Sequence, residues 1–116
     1  MFIMMGVAAH ADVIGSAPTY GGTSQAVAVC YYSNLSSTRG VKFNKALTYQ
    51  ENGVPVTQSS NNCDALIPLE SCRTVASIVS SLAHWCRAVV NTKAALRGRT
   101  EIRNGSSGVL TSETMR

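Results

Sequence analysis

Four cysteines constrain this chain more than any other feature. They stand at positions 30, 63, 72 and 86 of 116 residues, and none shows the C-x-x-C or Cys/His spacing of a zinc or redox site. An even number without such spacing reads as a disulfide framework, and three pairings are possible. The expected pairing is Cys63 with Cys72 and Cys30 with Cys86. The first pair brackets a turn-rich stretch, CDALIPLESC, that a bridge closes as a clasp. The second joins two segments that both read as central strands. The alternative is four free buried thiols in a cytosolic protein, where disulfides are rare.

The start of the chain favours the oxidising compartment. Residues 1–11, MFIMMGVAAHA, carry no Lys, Arg, Asp or Glu and run from bulky to small apolar residues. An apolar region leading to a small-x-small site is the layout of a secretory signal peptide, with Ala9-His10-Ala11 as the A-x-A and Asp12 as the first mature residue. A basic n-region is missing and the apolar stretch is short, so a truncated signal is expected, followed by a domain over 12–116. A buried N-terminal strand is the competing reading. No later stretch approaches 18 apolar residues, so no transmembrane segment is expected. The expected setting is therefore secreted or periplasmic.

With 45% hydrophobic and 14% charged residues, the chain is far from disordered composition and has room for one core. Polar turn clusters recur about every ten residues between short runs rich in β-branched and aromatic residues, an all-β rhythm. Gln25 to Ser33 is apolar on both faces, as a strand covered on both sides is. Val41 to Gln50 alternates, with Val41, Phe43, Leu47 and Tyr49 on one parity. Lys45 breaks that face, which calls for a β-bulge or a sheet edge. Asn52-Gly53 marks a hairpin turn, and Pro55 puts the returning strand, Val54 to Gln58, at an edge. Arg73 to Val79, His84 to Asn91, Ala95 to Arg103 and Val109 to Met115 complete seven or eight strands. The last two flank the hairpin Asn-Gly-Ser-Ser-Gly. A helix over Val75 to Val90 is the only competitor.

Such strands in about 105 residues, with a long-range bridge, suggest a two-sheet sandwich. The segment Asn62-Cys63 … Leu66-Ile67-Pro68-Leu69-Glu70-Ser71-Cys72-Arg73-Thr74-Val75 resembles the N-x-C … L-x-P-G-x-S-C-x-I/V stretch of bacterial immunoglobulin-like modules of the ASH/MSP type. The tail from Cys86-Arg87-Ala88-Val89-Val90 to Gly108-Val109-Leu110 also looks like small exported bacterial proteins of unassigned function. The resemblance implies an immunoglobulin-like antiparallel β-sandwich in an exported protein, and no catalytic residue. Glu70 stands where those modules often carry glycine, so the turn geometry is expected to depart there. Trp85 adjoins Cys86, and its ring is expected to point away from the bridge.

Catalysis is poorly provided for. The domain offers one internal histidine, His84, and carboxylates scattered at Asp12, Glu51, Asp64, Glu70, Glu101 and Glu113. General acid–base work needs two such groups in one pocket, and no nucleophile-elbow, zincin or phosphate-loop motif is present. A non-catalytic binding or structural protein without cofactor is expected. The alternative is a periplasmic copper-binding protein: cleavage after Ala9 leaves His10 at the N-terminus, where its amine and imidazole could join His84. A second alternative is a small enzyme of unrecognised type.

The net charge of +4 is concentrated late, with Arg87, Lys93, Arg97, Arg99 and Arg103 within seventeen residues. Arg97, Arg99, Glu101 and Arg103 share one strand parity, opposite Leu96 and Ile102. Arg97, Arg99 and Arg103 are thus candidates for binding a protein or an anionic glycan or lipid surface. A solvated sheet face with Glu101 partly cancelling the charge is the bland alternative. Nucleic acid is not expected, since interleaved aromatics are lacking. Of Tyr31 and Tyr32, neighbours on a strand, at most one is exposed, so with Trp85 they are read as core rather than as a sugar platform. Asn34-Leu35-Ser36 and Asn104-Gly105-Ser106 are read as turn chemistry rather than glycosylation sites.

Overall fold

The computed structural model describes residues 11–20, 26–50, 53–77, 83–104 and 109–116, and those residues contain strands and no helix. The strands are β1 (Asp12–Gly15), β2 (Ala26–Asn34), β3 (Val41–Gln50), β4 (Gln58–Asn61), β5 (Ala65–Leu66), β6 (Ser71–Ser77), β7 (His84–Val90), β8 (Leu96–Asn104) and β9 (Val109–Thr114). They form two antiparallel sheets, β1-β7-β3-β5 and β4-β6-β2-β8-β9, packed as a sandwich. The helix over 75–90 is excluded where residues are described, because β6 and β7 cover both ends of that stretch. The export signal over 1–11 lies outside the described residues except for Ala11. The same holds for Glu51-Asn52 of the first hairpin turn and for 105–108 of the second.

Both bridges form as expected. Cys30 of β2 joins Cys86 of β7 across the sandwich, with Cα atoms 5.8 Å apart, and Cys63 joins Cys72 at 5.1 Å. Around the inter-sheet bridge pack Tyr32, Phe43, Leu96 and Val90. Fully burying side chains of this size contributes about 1.5–3 kcal/mol each. Tyr32 is wholly enclosed, its ring edge-on to Phe43 at 5.2 Å, and burial pushes its phenol well above the ordinary tyrosine pKa. Thr48 Oγ1 lies 3.3 Å from Cys30 Sγ; the disulfide sulfur has no hydrogen, so the hydroxyl donates.

The order of strands is not readable from local pattern. In a constant-type immunoglobulin domain the last strand lies beside the sixth; here β8 pairs with β2, and β1 takes the place beside β7. The ends of the two sheets meet there. Ser16 bridges Met115, and Gly15 and Arg116 exchange backbone hydrogen bonds at 3.0 and 2.8 Å, which removes part of two exposed edges. Met115 folds over Gly98, where a Cβ would meet its sulfur at 2.7 Å and the Tyr31 carbonyl at 3.0 Å.

Lys45 does sit at a bulge, the register of β3 on β7 shifting between Phe43 and Lys45. The extra residue reverses the faces beyond it, because side chains alternate with a period of two. Val41 and Phe43 are buried as expected. Past the bulge the buried residues are Ala46 and Thr48, while Leu47 and Tyr49, expected on the same face as Val41, are only half-buried. The returning segment is also shorter in pairing than expected. Gly53 has φ +82°, and Pro55 makes an isolated bridge to Tyr49. The chain then crosses to form β4 at the edge of the other sheet.

At one end of the sandwich, Asn34 ties the β2–β3 loop to the end of β5 and the residue after it. Its amide nitrogen donates to the carbonyls of Arg39 (2.8 Å), Ile67 (3.3 Å) and Leu66 (3.5 Å), and its Oδ1 accepts from Ser36 N at 3.1 Å. Asn34 is 1% exposed, so its amide serves the turn and is not open to glycosylation. In the clasp between Cys63 and Cys72, the left-handed residue is Leu69 (φ 66°), the neighbour of Glu70. Pro68 followed by a positive φ, closed by Glu70 N donating to Ile67 O at 3.2 Å, is type II turn geometry. Glu70 Oε1 accepts from Ile67 N at 3.1 Å and holds the turn shut.

Candidate functional site

Antiparallel register decides which side chains share a face, and on the five-stranded sheet it gathers the arginines. Along β8, Arg97, Arg99, Glu101 and Arg103 stand opposite Ser33, Tyr31, Val29 and Val27 of β2. Those same β2 residues stand opposite Ser71, Arg73, Val75 and Ser77 of β6. The alternate residues of β2 (Ala28, Cys30, Tyr32, Asn34) are buried against the other sheet, so this row faces outward. Among the described residues no third layer covers the outer face of β2, where Val27, Tyr31 and Ser33 are half-buried and Val29 is buried.

Three guanidinium groups are held in place. Arg99 lies over the Tyr31 ring, 5.0 Å from its centroid, a cation–π contact. Arg99 Nε also donates to Glu101 Oε2 at 2.5 Å, and Arg103 Nη1 donates to Glu101 Oε1 at 2.9 Å. Arg97 turns Nη1 onto the Leu96 carbonyl at 3.1 Å. The Glu101 side chain is 6% exposed, against 57% for Arg99 and 31% for Arg103. A carboxylate so enclosed is retained because two charge-assisted hydrogen bonds replace its water.

The face is therefore unequal along its length. Glu101 offsets one charge, shared between Arg99 and Arg103. Around Tyr31, the arginines Arg73, Arg97 and Arg99 have no further carboxylate among the described residues of that face. A shallow cleft of about 220 Å³ opens there, lined by Tyr31, Ser33, Arg97, Gly98, Arg99 and Thr114. Arginine stays protonated across the physiological range, so this arrangement offers hydrogen-bond donors and positive charge, not proton transfer.

The expected stripe of Arg97, Arg99 and Arg103 is thus on one outward face with Glu101. The five late cations do not act as one patch. Arg87 is exposed on the outer face of the four-stranded sheet, and Lys93 lies in the loop after β7, its backbone N bonded to Asp12 Oδ2 at 2.9 Å. Tyr31, Arg73, Ser33 and Thr114 were not singled out by sequence as parts of this site. The parity of β2 leaves Tyr31 available, but Arg73 joins it only through the β2–β6 register.

The remaining candidates fall elsewhere. Trp85 stacks on Tyr49 (centroids 5.7 Å apart) on the far sheet, pointing away from the bridge as expected and sharing no surface with Tyr31. His84 is 3% exposed on the core side of β7, its backbone paired with Thr19, and His10 lies outside the described residues. Among the described residues, no three His, Cys, Asp or Glu side chains are placed to hold a metal ion. No described helix is long and apolar enough to cross a membrane. No family model matches the chain, and no similar curated protein or solved structure is found.

Proposed function

We propose that this is an exported, non-catalytic binding protein whose five-stranded sheet presents an arginine face to an anionic glycan, lipid surface or protein. The observation that carries the reading is the gathering of Arg73, Arg97 and Arg99 around Tyr31, with Arg103 farther along the same face and one carboxylate, Glu101, between Arg99 and Arg103. Export is supported by two disulfides, which persist in oxidising compartments, and by the signal-like start. The kinship with immunoglobulin-like modules of the ASH/MSP type is supported by the Cys63–Cys72 motif and by a bridge between interior strands of opposing sheets.

The test is a titration against a polyuronate and against vesicles of anionic lipid at rising salt. Binding should weaken as salt screens the face, and Arg97→Gln with Arg103→Gln should weaken it further. Absent or salt-independent binding would remove the reading.

A further inference from the structure

We propose that the cleft among Tyr31, Ser33, Arg97, Arg99 and Thr114 is a subsite for a phosphate monoester, a proposal that rests on the arginine face being an anion-binding surface. The argument begins with donors. Arg99 spends Nε on Glu101, and its two Nη groups make no hydrogen bond among the described residues. Arg97 spends Nη1 on the Leu96 carbonyl and keeps Nε and Nη2. Two hydroxyls line the same cleft, that of Thr114 and that of Ser33, the latter sharing a hydrogen bond with Ser71 Oγ at 2.8 Å. A carboxylate has two oxygens to offer such a set, whereas a phosphate monoester has three strong acceptor oxygens and close to two negative charges. Arg73 and Arg97, which pair with no carboxylate among the described residues, and Arg99, which shares the single charge of Glu101 with Arg103, match the higher charge.

Preorganisation points to the same place. Arg99 is stacked on Tyr31 and pinned by Glu101, so its fork is held before a ligand arrives and little side-chain freedom remains to be lost. Glu101 is a positioning residue in this arrangement.

The experiment measures binding of glucose 6-phosphate and glucose 6-sulfate to the intact chain, with a polyuronate and phosphatidic acid vesicles as further probes. The phosphate ester gains its second charge near pH 6 while arginine stays charged. Its affinity should therefore rise severalfold from pH 5 to pH 7.5, and the sulfate ester should stay flat and bind about tenfold more weakly at pH 7.5. Arg97→Gln should weaken phosphate binding about tenfold or more. Arg87→Gln, which removes the same charge from the opposite sheet, should change it less than twofold; Thr114→Val is the second cleft variant should Arg97→Gln fail to fold. Tighter binding of phosphatidic acid vesicles than of the sugar phosphate assigns the ester to a lipid headgroup, and the reverse to a soluble phosphorylated sugar. If the polyuronate binds in a salt-dependent way but the phosphate ester neither binds nor distinguishes the two arginine variants, the subsite is overturned and the anion-binding face stands. If no probe binds, both fall.

Discussion

Cys30 and Cys86 are joined across the two sheets although 56 residues separate them, and both are fully buried. The Cys63–Cys72 bridge closes a separation of only nine. On the chain-entropy account, the longer loop loses more freedom in the unfolded state, giving about 4 kcal/mol against about 2.6 kcal/mol for the shorter. Urea unfolding of Cys30→Ala/Cys86→Ala and of Cys63→Ala/Cys72→Ala should show the first pair as the more destabilised. The reverse order would mean that the clasp, not the inter-sheet bridge, holds the fold.

Asn34 should be among the least replaceable polar residues. Asn34→Ala removes the donor shared by the Arg39, Leu66 and Ile67 carbonyls and the acceptor for Ser36 N, at a cost of about 2–4 kcal/mol. Asn34→Asp keeps the acceptor but sets a buried carboxylate against the Arg39 and Ile67 carbonyl oxygens, raising its pKa above the unfolded value of about 3.9. A raised folded pKa gives stability below the unfolded value that is lost as pH climbs. Asn34→Asp should therefore be closer to the parent near pH 4 than at pH 7, when each is compared with the parent by chemical denaturation at the same pH.

Leu69 holds a left-handed conformation while 69% exposed, so its side chain returns little packing for the backbone strain. The left-handed region costs a residue with a Cβ about 1–2 kcal/mol. Leu69→Gly relieves that cost but enlarges the freedom of the unfolded chain by about 0.4–1 kcal/mol. The net expectation is a gain of about 0.5–1 kcal/mol, seen as a higher urea midpoint. A loss of stability would show that the Leu69 side chain makes a contact worth more than the strain.

Glu101→Gln separates stability from binding. The variant leaves Arg99 and Arg103 without their carboxylate, and since both reach solvent the penalty should be about 1–2 kcal/mol, below that of a wholly buried pair. The face gains one uncancelled charge, so affinity for a polyuronate should increase and its salt dependence steepen. Weaker binding together with lower stability would indicate that fixing Arg99 matters more than the charge Glu101 removes.

Much of the architecture was legible in the sequence, and particular residues show why. Strand positions follow from alternation and turn chemistry, which are local: the bounds of β3 were expected, and at Lys45 a bulge was one of two expected readings, the other being a sheet edge. The cysteine pairing followed because one pair brackets a turn and the other links two interior strands. What the bulge does downstream was not legible. Leu47 and Tyr49 match the parity of Val41, and only the register on β7 shows that Ala46 and Thr48 replaced them in the core. Asn34 looked like an ordinary turn residue for a similar reason, since two of its acceptors, the Leu66 and Ile67 carbonyls, lie some thirty residues away in the chain.

The sequence by itself determined an all-β domain stapled by two bridges, with Arg97, Arg99, Glu101 and Arg103 on one side of one strand. Periodicity and covalent chemistry act over a few residues or through identifiable sulfur atoms, so the chain carries them openly. Only the tertiary structure decided that β8 lies beside β2, which sets Arg99 on Tyr31 and brings Arg73 to the same face. Strand neighbours are selected by the packing of the whole core, a sum over contacts distant in sequence, and a local pattern holds no record of that sum.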